Sequence, residues 1–101
     1  MRGLTFDDAV RGEVDDAVEW LDYRQSGLGL RFLDTLNENL TVVRENPLSS
    51  VRGDYGTRLR LLKPFHRMAV FEFDDDTVHV VAVVHESQRP GYWRSRTSWD
   101  D

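Results

Sequence analysis

The sequence predicts an α+β fold in which a small antiparallel β-sheet packs against an N-terminal helical hairpin. The sheet is expected to contain three C-terminal strands plus a short N-terminal strand. Two observations predict this arrangement. The first half of the chain carries two apolar stripes with helical spacing, and residues 57–85 carry three apolar, β-branched segments separated by turn signals. A length of 101 residues is typical of one domain, so we predict a single domain over residues 1–101.

Two amphipathic helices are predicted after a short strand at residues 4–6. Asp7 or Asp8 is a candidate N-cap, because its carboxylate can accept a backbone hydrogen bond. The first apolar stripe is Val10, Val14, Ala17, Val18 and Leu21. We expect Gly27 to stop this helix, and the second to run over residues 28–45 until Asn46-Pro47 ends it. The acids of the first helix, among them Glu13, are interpreted as a solvated face, with a docking surface for a basic partner as the alternative.

The C-terminal half predicts strands at residues 57–63, 66–73 and 77–85, preceded by a loop at residues 48–56. Strict alternation would place Val78, Val80, Ala82 and Val84 on one face of the last strand and His79, Val81, Val83 and His85 on the other. Because both faces are apolar, the last strand is expected to be central. The acids at residues 74–76 are interpreted as a solvated turn that caps its own backbone, and not as a metal site.

Composition excludes several classes of function. The chain has no cysteine, which excludes disulfides, cysteine-based metal sites and a cysteine nucleophile. No apolar run approaches the ~20 residues that a membrane-spanning helix needs. We expect a cytoplasmic protein without a cofactor or a metal. The net charge is −5; residues 1–50 hold five Arg and ten acids, whereas residues 51–101 hold eight cations and eight acids. General binding of polyanions is therefore not favoured, but one face can be positive.

Five short motifs occur in a characteristic order along these elements. They are Gly27-Leu-Gly-Leu-Arg-Phe-Leu-Asp-Thr-Leu36, Glu45-Asn-Pro47, Arg58 with Pro64-Phe-His-Arg67, Val81-Ala-Val-Val-His85, and Arg89-Pro-Gly-Tyr-Trp-Arg94. In order and spacing the chain resembles the RelE/ParE superfamily, the toxins of bacterial type II toxin–antitoxin systems, and it is most similar to the ParE-like, plasmid-stabilisation branch. The resemblance implies growth inhibition and a cognate antitoxin whose C-terminal segment wraps the toxin. RelE-like members cut mRNA on the ribosome without a metal, whereas ParE-like members inhibit DNA gyrase.

The resemblance also suggests which residues carry the function. For a nuclease, the catalytic candidates are Arg67, Arg89, Tyr92 and His85. For a surface that binds a partner or a phosphate, the candidates are Arg58, Arg60, Arg67, Arg89 and Trp93. Each has a structural alternative: His85 as a hydrogen-bonding residue, Trp93 as a cap over the sheet, and Arg67 as a buried packing or ion-pair residue.

We favour a non-catalytic ParE-like toxin. Lys63 is the only lysine, so the helical lysines of RelE-like enzymes have no match, and a net charge of −5 opposes docking on ribosomal RNA. The chain departs from ParE-like members at Pro64-Phe65-His66, where they often have Phe-Pro-Tyr. The alternatives are a RelE-like metal-free endoribonuclease that acts on mRNA, and a non-toxic interaction domain of the same fold.

Overall fold

A computed structural model describes residues 1–99 and shows a helical hairpin on one face of a five-stranded sheet. The elements are β1 (Gly3–Phe6), α1 (Val10–Arg24), α2 (Leu28–Glu45), β2 (Val51–Arg52), β3 (Arg58–Leu62), β4 (Arg67–Phe73) and β5 (Thr77–His85). A C-terminal tail, residues 86–99, follows with 3-10 turns at Pro90–Tyr92 and Arg94–Arg96. The predicted α+β class is confirmed. Within residues 1–99, neither helix is long and apolar enough to cross a membrane.

The strands lie in the order β1-β5-β4-β3-β2. The predicted sheet was purely antiparallel, but β1 pairs with β5 in parallel, so the sheet is mixed. A parallel pair needs a crossover connection, and the chain between β1 and β5 contains the helical hairpin that supplies one. The two-residue strand β2 was predicted as loop; it pairs only with Leu59 and Arg58 of β3. The position of β5 between β1 and β4 confirms that the last strand is internal.

A β-bulge in β5 overturns the predicted alternation of its side chains. Val70 pairs with Ala82 whereas Phe71 pairs with Val80, which leaves Val81 as an extra residue on β5. Val80 packs against the helices, and beyond the bulge Val83 takes over that face. The residues that pack on the opposite face are Val81, Ala82 and Val84. The strict alternation was therefore wrong after Val80, because one inserted residue reverses the faces of all that follow.

The sheet separates two apolar cores. On the helix side, Phe32, Leu62 and Val80 are fully buried together with Leu21, Leu36 and Leu40. On the other side, Trp93 of the C-terminal tail covers Met68, Val70, Val81, Ala82 and Val84. Burying one such side chain contributes about 1.5–3 kcal/mol, so both faces of the sheet contribute to stability.

Two glycines explain the junction between α1 and α2. The first helix ends at Arg24, before the predicted stop, and Gly27 adopts a φ of 93° ahead of α2. Gly29 lets the helices approach closely, since a Cβ built there would lie 2.7 Å from Val18 Cγ1. Its backbone N–H donates to Asp22 Oδ1 at 2.8 Å. The two glycines of the first motif are thus explained by the turn before α2 and by the close packing of the helices.

The acidic turn between β4 and β5 caps itself, as predicted. Asp74 Oδ1 accepts hydrogen bonds from the backbone N–H groups of Asp76 and Thr77, both at 2.8 Å. These bonds stabilise the carboxylate and lower the pKa of Asp74. At the start of α1, the prediction of Asp7 or Asp8 as N-cap is wrong, because the N-cap is Ala9 and the helix begins at Val10. Asp7 Oδ1 instead accepts the Ala9 N–H at 3.0 Å, in the turn before the helix.

Candidate functional site

Two of the predicted catalytic candidates, Arg67 and His85, lie side by side at one end of the sheet. Arg67 opens β4 and His85 closes β5, and the antiparallel register makes them direct cross-strand partners. This pairing depends on the bulge, because the register of the hairpin next to the turn would have placed Val84 opposite Arg67. Both residues line a cleft of 390 Å³, here called the Arg67 cleft. Its other lining residues are Trp20, Leu21, Arg24, Leu28, Pro64, Phe65 and His66.

Arg67 is a partly buried cation that faces no fixed anion among residues 1–99. Its Nη1 donates to the backbone carbonyl of Phe65 at 3.1 Å. Desolvation by burial lowers the pKa of Arg67. No ion pair with a carboxylate compensates this desolvation within the described residues. The guanidinium is therefore suited to an incoming carboxylate or phosphate, which favours ligand binding over the ion-pair alternative.

His85 is held in one orientation by the start of the C-terminal tail. Its Nδ1 accepts the Ser87 backbone N–H at 3.1 Å and lies 2.8 Å from Ser87 Oγ. Because a backbone N–H can only donate, neutral His85 carries its proton on Nε2. His85 therefore binds the start of the tail through its Nδ1. Its Nε2–H remains available as a donor.

The bend before β4 fixes the position of Arg67. Lys63-Pro64 is a cis peptide, and Phe65 packs edge-to-face on Phe32 of α2 with ring centroids 5.5 Å apart. His66 then adopts a φ of 55° and its carbonyl accepts the Glu86 N–H at 2.9 Å. Packing on α2 and a backbone hydrogen bond to the tail therefore hold both sides of the Arg67 cleft.

The predicted cluster of Arg58, Arg60 and Arg67 is spread along the sheet. Arg60 Nε donates to Asn39 Oδ1 of α2 at 2.7 Å, and Arg58 Nη1 donates to the Ser50 carbonyl at 3.0 Å. Arg58 pairs with Phe71, which lies about 13 Å along β4 from Arg67 at the usual rise per residue. Arg58 and Arg60 therefore do not line the Arg67 cleft.

The C-terminal tail carries the remaining candidates away from the Arg67 cleft. Arg89 is exposed, and Tyr92 is 47% exposed beneath the guanidinium of Arg96, which lies 4.8 Å from the ring centroid. Trp93 is 1% exposed on the sheet face opposite the helices. The structure thus supports Trp93 as a cap over the sheet and leaves it no free face on which a base could stack.

A structural contact that the sequence did not reveal joins Glu13 to Arg96 at the β5 bulge. Pairing with β1 ends at Val80, so the next part of this edge of β5 lacks a strand partner. Glu13 Oε1 accepts the Val83 N–H at 3.0 Å, Glu13 Oε2 accepts Arg96 Nη1 at 2.9 Å, and Arg96 Nη1 also donates to the Val81 carbonyl at 3.2 Å. Glu13 is therefore not part of a solvated face, because its carboxylate accepts hydrogen bonds from the Val83 N–H and from Arg96 at the unpaired edge of β5.

The electrostatics at Arg96 reflect this contact. Desolvation by burial opposes the charge on Arg96, but the hydrogen bond to Glu13, together with the contact with Tyr92, outweighs it and raises the pKa of Arg96. A second carboxylate is also near this cation, since Arg96 Nε lies 4.0 Å from Asp7 Oδ1. The cation is thus firmly held, and it connects the tail to α1 and to β5.

An apolar groove of 500 Å³ opens between α1 and α2. Its apolar lining is Phe6, Val10, Val14, Leu33, Leu36 and Leu40, and its polar rim is Asp7, Asp8, Arg11, Asp15 and Asn37. Phe6 remains 47% exposed at one end. Val10, Leu36 and Leu40 are themselves buried, so the accessible apolar surface comes mainly from Phe6, Val14 and Leu33. A partly exposed apolar groove with an acidic rim is a candidate site for another protein chain.

No group of three or more His, Asp or Glu side chains within residues 1–99 is arranged to hold a metal ion.

No family model and no curated protein matches the chain. The chain is similar in structure to a chain of the chromosomal ParDE TA system from P. aeruginosa. The TM-score is 0.72 at 11% sequence identity, and the match covers 84% of this chain and 96% of that chain. At this identity the comparison establishes a common fold, which is the fold that the sequence motifs had implied.

Proposed function

We propose that this chain is a ParE-like toxin of a bacterial type II toxin–antitoxin pair. It would act by binding a protein target such as DNA gyrase and would be neutralised by a cognate antitoxin. The observation that carries the proposal is the structural match to a chain of a ParDE TA system over 84% of this chain. The order of the sequence motifs, from Gly27 to Arg94, supports it independently.

The dispersal of the catalytic candidates favours binding over catalysis. Acid–base cleavage of RNA needs a base, an acid and cations that converge on one phosphate. Only Arg67 and His85 meet in the Arg67 cleft, whereas Tyr92 contacts Arg96 and neither Tyr92 nor Arg89 lines the cleft. A cleft with an unpaired guanidinium and an apolar wall can instead accept a carboxylate-bearing side chain of a protein target.

The apolar groove between α1 and α2 is our candidate for the antitoxin. Its volume is 500 Å³ and its lining is largely apolar, which suits the apolar side chains of an amphipathic segment, and Phe6 would be covered on binding. Three acids and one arginine form its charged rim, so a segment with basic flanks would be favoured electrostatically.

The proposal is tested by expressing the chain alone in bacteria. We expect growth arrest with DNA-damage signalling and intact RNA, together with inhibition of supercoiling by purified gyrase. Arg67→Ala should weaken the arrest, while Arg31→Ala, a matched exposed arginine on α2, should not. Absence of growth arrest in cells that accumulate folded protein would refute toxicity and leave a non-toxic interaction domain.

A metal-free endoribonuclease is the second candidate, and the adjacency of Arg67 and His85 is the observation that favours it. The guanidinium would stabilise the charge of the phosphorane, and His85 Nε2–H would donate a hydrogen bond to the leaving oxygen. Water would take up the proton of the attacking 2′-OH and supply one to the leaving oxygen. Arrest accompanied by cut messages would favour this function over gyrase binding. The cutting should persist in EDTA and be lost in Arg67→Ala and His85→Ala, whereas a contaminating nuclease would be unaffected by either substitution.

A further inference from the structure

A second cleft lies at the other end of the sheet, where β3 begins and β4 ends. Its volume is 740 Å³, which is within the usual range of about 300–1,000 Å³ for small-molecule sites. The lining includes Arg52, Asp54, Tyr55, Gly56, Arg58 and Trp99. We call it the Arg52 cleft; it shares no lining residue with the Arg67 cleft.

Two arginines of this cleft are placed directly opposite each other. Arg52 of β2 and Arg58 of β3 are cross-strand partners, and like charges in that arrangement repel. Within residues 1–99 neither forms an ion pair, and Arg58 makes only a hydrogen bond to the Ser50 carbonyl. A bound anion between them would turn this repulsion into two charge-assisted contacts.

Aromatic side chains form another part of the same cleft. Trp99 is 51% exposed and meets Tyr55 edge-on, with ring centroids 6.3 Å apart. Arg94 lies over the Tyr55 ring at 5.1 Å. Tyr55 and Gly56 both have positive φ, of 58° and 75°, and a Cβ at Gly56 would lie 3.4 Å from Trp99 Cε3. The turn therefore presents Tyr55 and allows the indole to lie against the backbone.

We propose that the Arg52 cleft binds a nucleoside phosphate, with the phosphate between Arg52 and Arg58 and the base against Trp99. Arginine forks match phosphate oxygens, and every nucleobase can stack on an indole face. Among residues 1–99, Asp54 brings the charge of the lining to +1, which suits a monophosphate better than a polyphosphate. Its carboxylate also offers an acceptor to a base amino group. The ligand is either a free nucleotide or one nucleotide unit of a single strand. This inference does not depend on the toxin assignment.

Calorimetric titration of the full chain with AMP, adenosine and inorganic phosphate tests the proposal. We expect AMP to bind with a Kd below about 1 mM and more tightly than either fragment. Arg52→Gln should weaken AMP binding about tenfold, and Trp99→Ala about fivefold or more. Both side chains are exposed, so the fold should survive, and circular dichroism verifies this for each variant.

Two matched variants locate the site. Arg31→Gln removes another exposed arginine, and Tyr23→Ala removes an aromatic side chain that is 86% exposed and lines neither cleft. Both should bind AMP like the wild type. Equal losses in these controls, absence of AMP binding, or AMP binding no tighter than phosphate would each overturn the proposal. Titration with a ten-nucleotide deoxyadenosine strand then distinguishes the sources. Tighter binding per site than AMP identifies a single strand, and equal or weaker binding identifies the free nucleotide.

Discussion

Glu13→Ala should destabilise the protein more than any other change of an acid in α1. The Glu13 side chain is 10% exposed, and its carboxylate serves both the Val83 N–H and Arg96. Leaving the Val83 N–H without an acceptor costs about 1–3 kcal/mol. The lost ion pair adds about 1 kcal/mol, since Asp7 still lies 4.0 Å from Arg96 and compensates part of its charge. We therefore expect a loss of about 2–4 kcal/mol.

Urea denaturation followed by circular dichroism measures this loss, and thermal unfolding should show a decrease in Tm of roughly 10–25 °C. Glu13→Gln retains an oxygen for the Val83 N–H and removes only the charge, so about 1 kcal/mol is expected. Glu19→Ala is the matched control, because Glu19 is an exposed acid on the same helix and should change stability by less than about 0.5 kcal/mol. If Glu13→Ala and Glu19→Ala have the same effect, the argument about the open edge of β5 is wrong.

Three further predictions concern packing and titration. Gly29→Ala should lower the free energy of unfolding by about 1–3 kcal/mol in urea, because the added Cβ meets Val18, whereas Gly12→Ala in open space should raise it by about 0.5–1 kcal/mol. Equal effects would contradict the close approach at Gly29. Folding lowers the pKa of Asp74, so its ionised carboxylate stabilises the folded protein at pH values above the unfolded-state pKa of about 3.9. This stabilisation is lost as the pH falls through the folded-state pKa. Asp74→Asn retains an acceptor and should flatten the stability profile below about pH 5, and a profile as steep as that of the wild type would contradict this cap. Trp93→Ala should lower the free energy of unfolding in urea by about 3–5 kcal/mol. Trp93→Phe should lower it clearly less, because a ring is retained and the Nε1 that it removes is buried without a hydrogen-bond partner in residues 1–99. Equal losses in the two variants would show that the ring itself does not provide the stability.

The helical hairpin could be predicted because its signal is local. The apolar stripe from Val10 to Leu21 has helical spacing, and Val10, Ala17 and Leu21 are indeed buried. The short strand β2 could not be predicted in this way. Its two residues carry no periodicity, and only their pairing with β3 makes them a strand.

The bulge explains why the site was only partly predictable. Valines occur on both faces of β5, so an inserted residue at Val81 leaves no trace in the hydrophobic pattern. Arg67 and His85 could each be chosen as candidates by residue type, but their pairing follows from the bulge. Tyr92 and Arg89 are near His85 in sequence, but neither lines the Arg67 cleft, because the path of the tail after β5 is not visible in the sequence pattern.

The pairing of β1 with β5 has a consequence for synthesis on the ribosome. Gly3–Phe6 leaves the ribosome well before its partners, Thr77 to Val80, which are made 74 residues later. Until then the helices cannot pack on Val80 and Val83 of β5, which belong to the core on the helix side of the sheet. Contacts between such distant segments form late, so the nascent chain should remain open to chaperones and proteases until β5 has emerged. The folded surface that carries both clefts therefore exists only once β5 has been made.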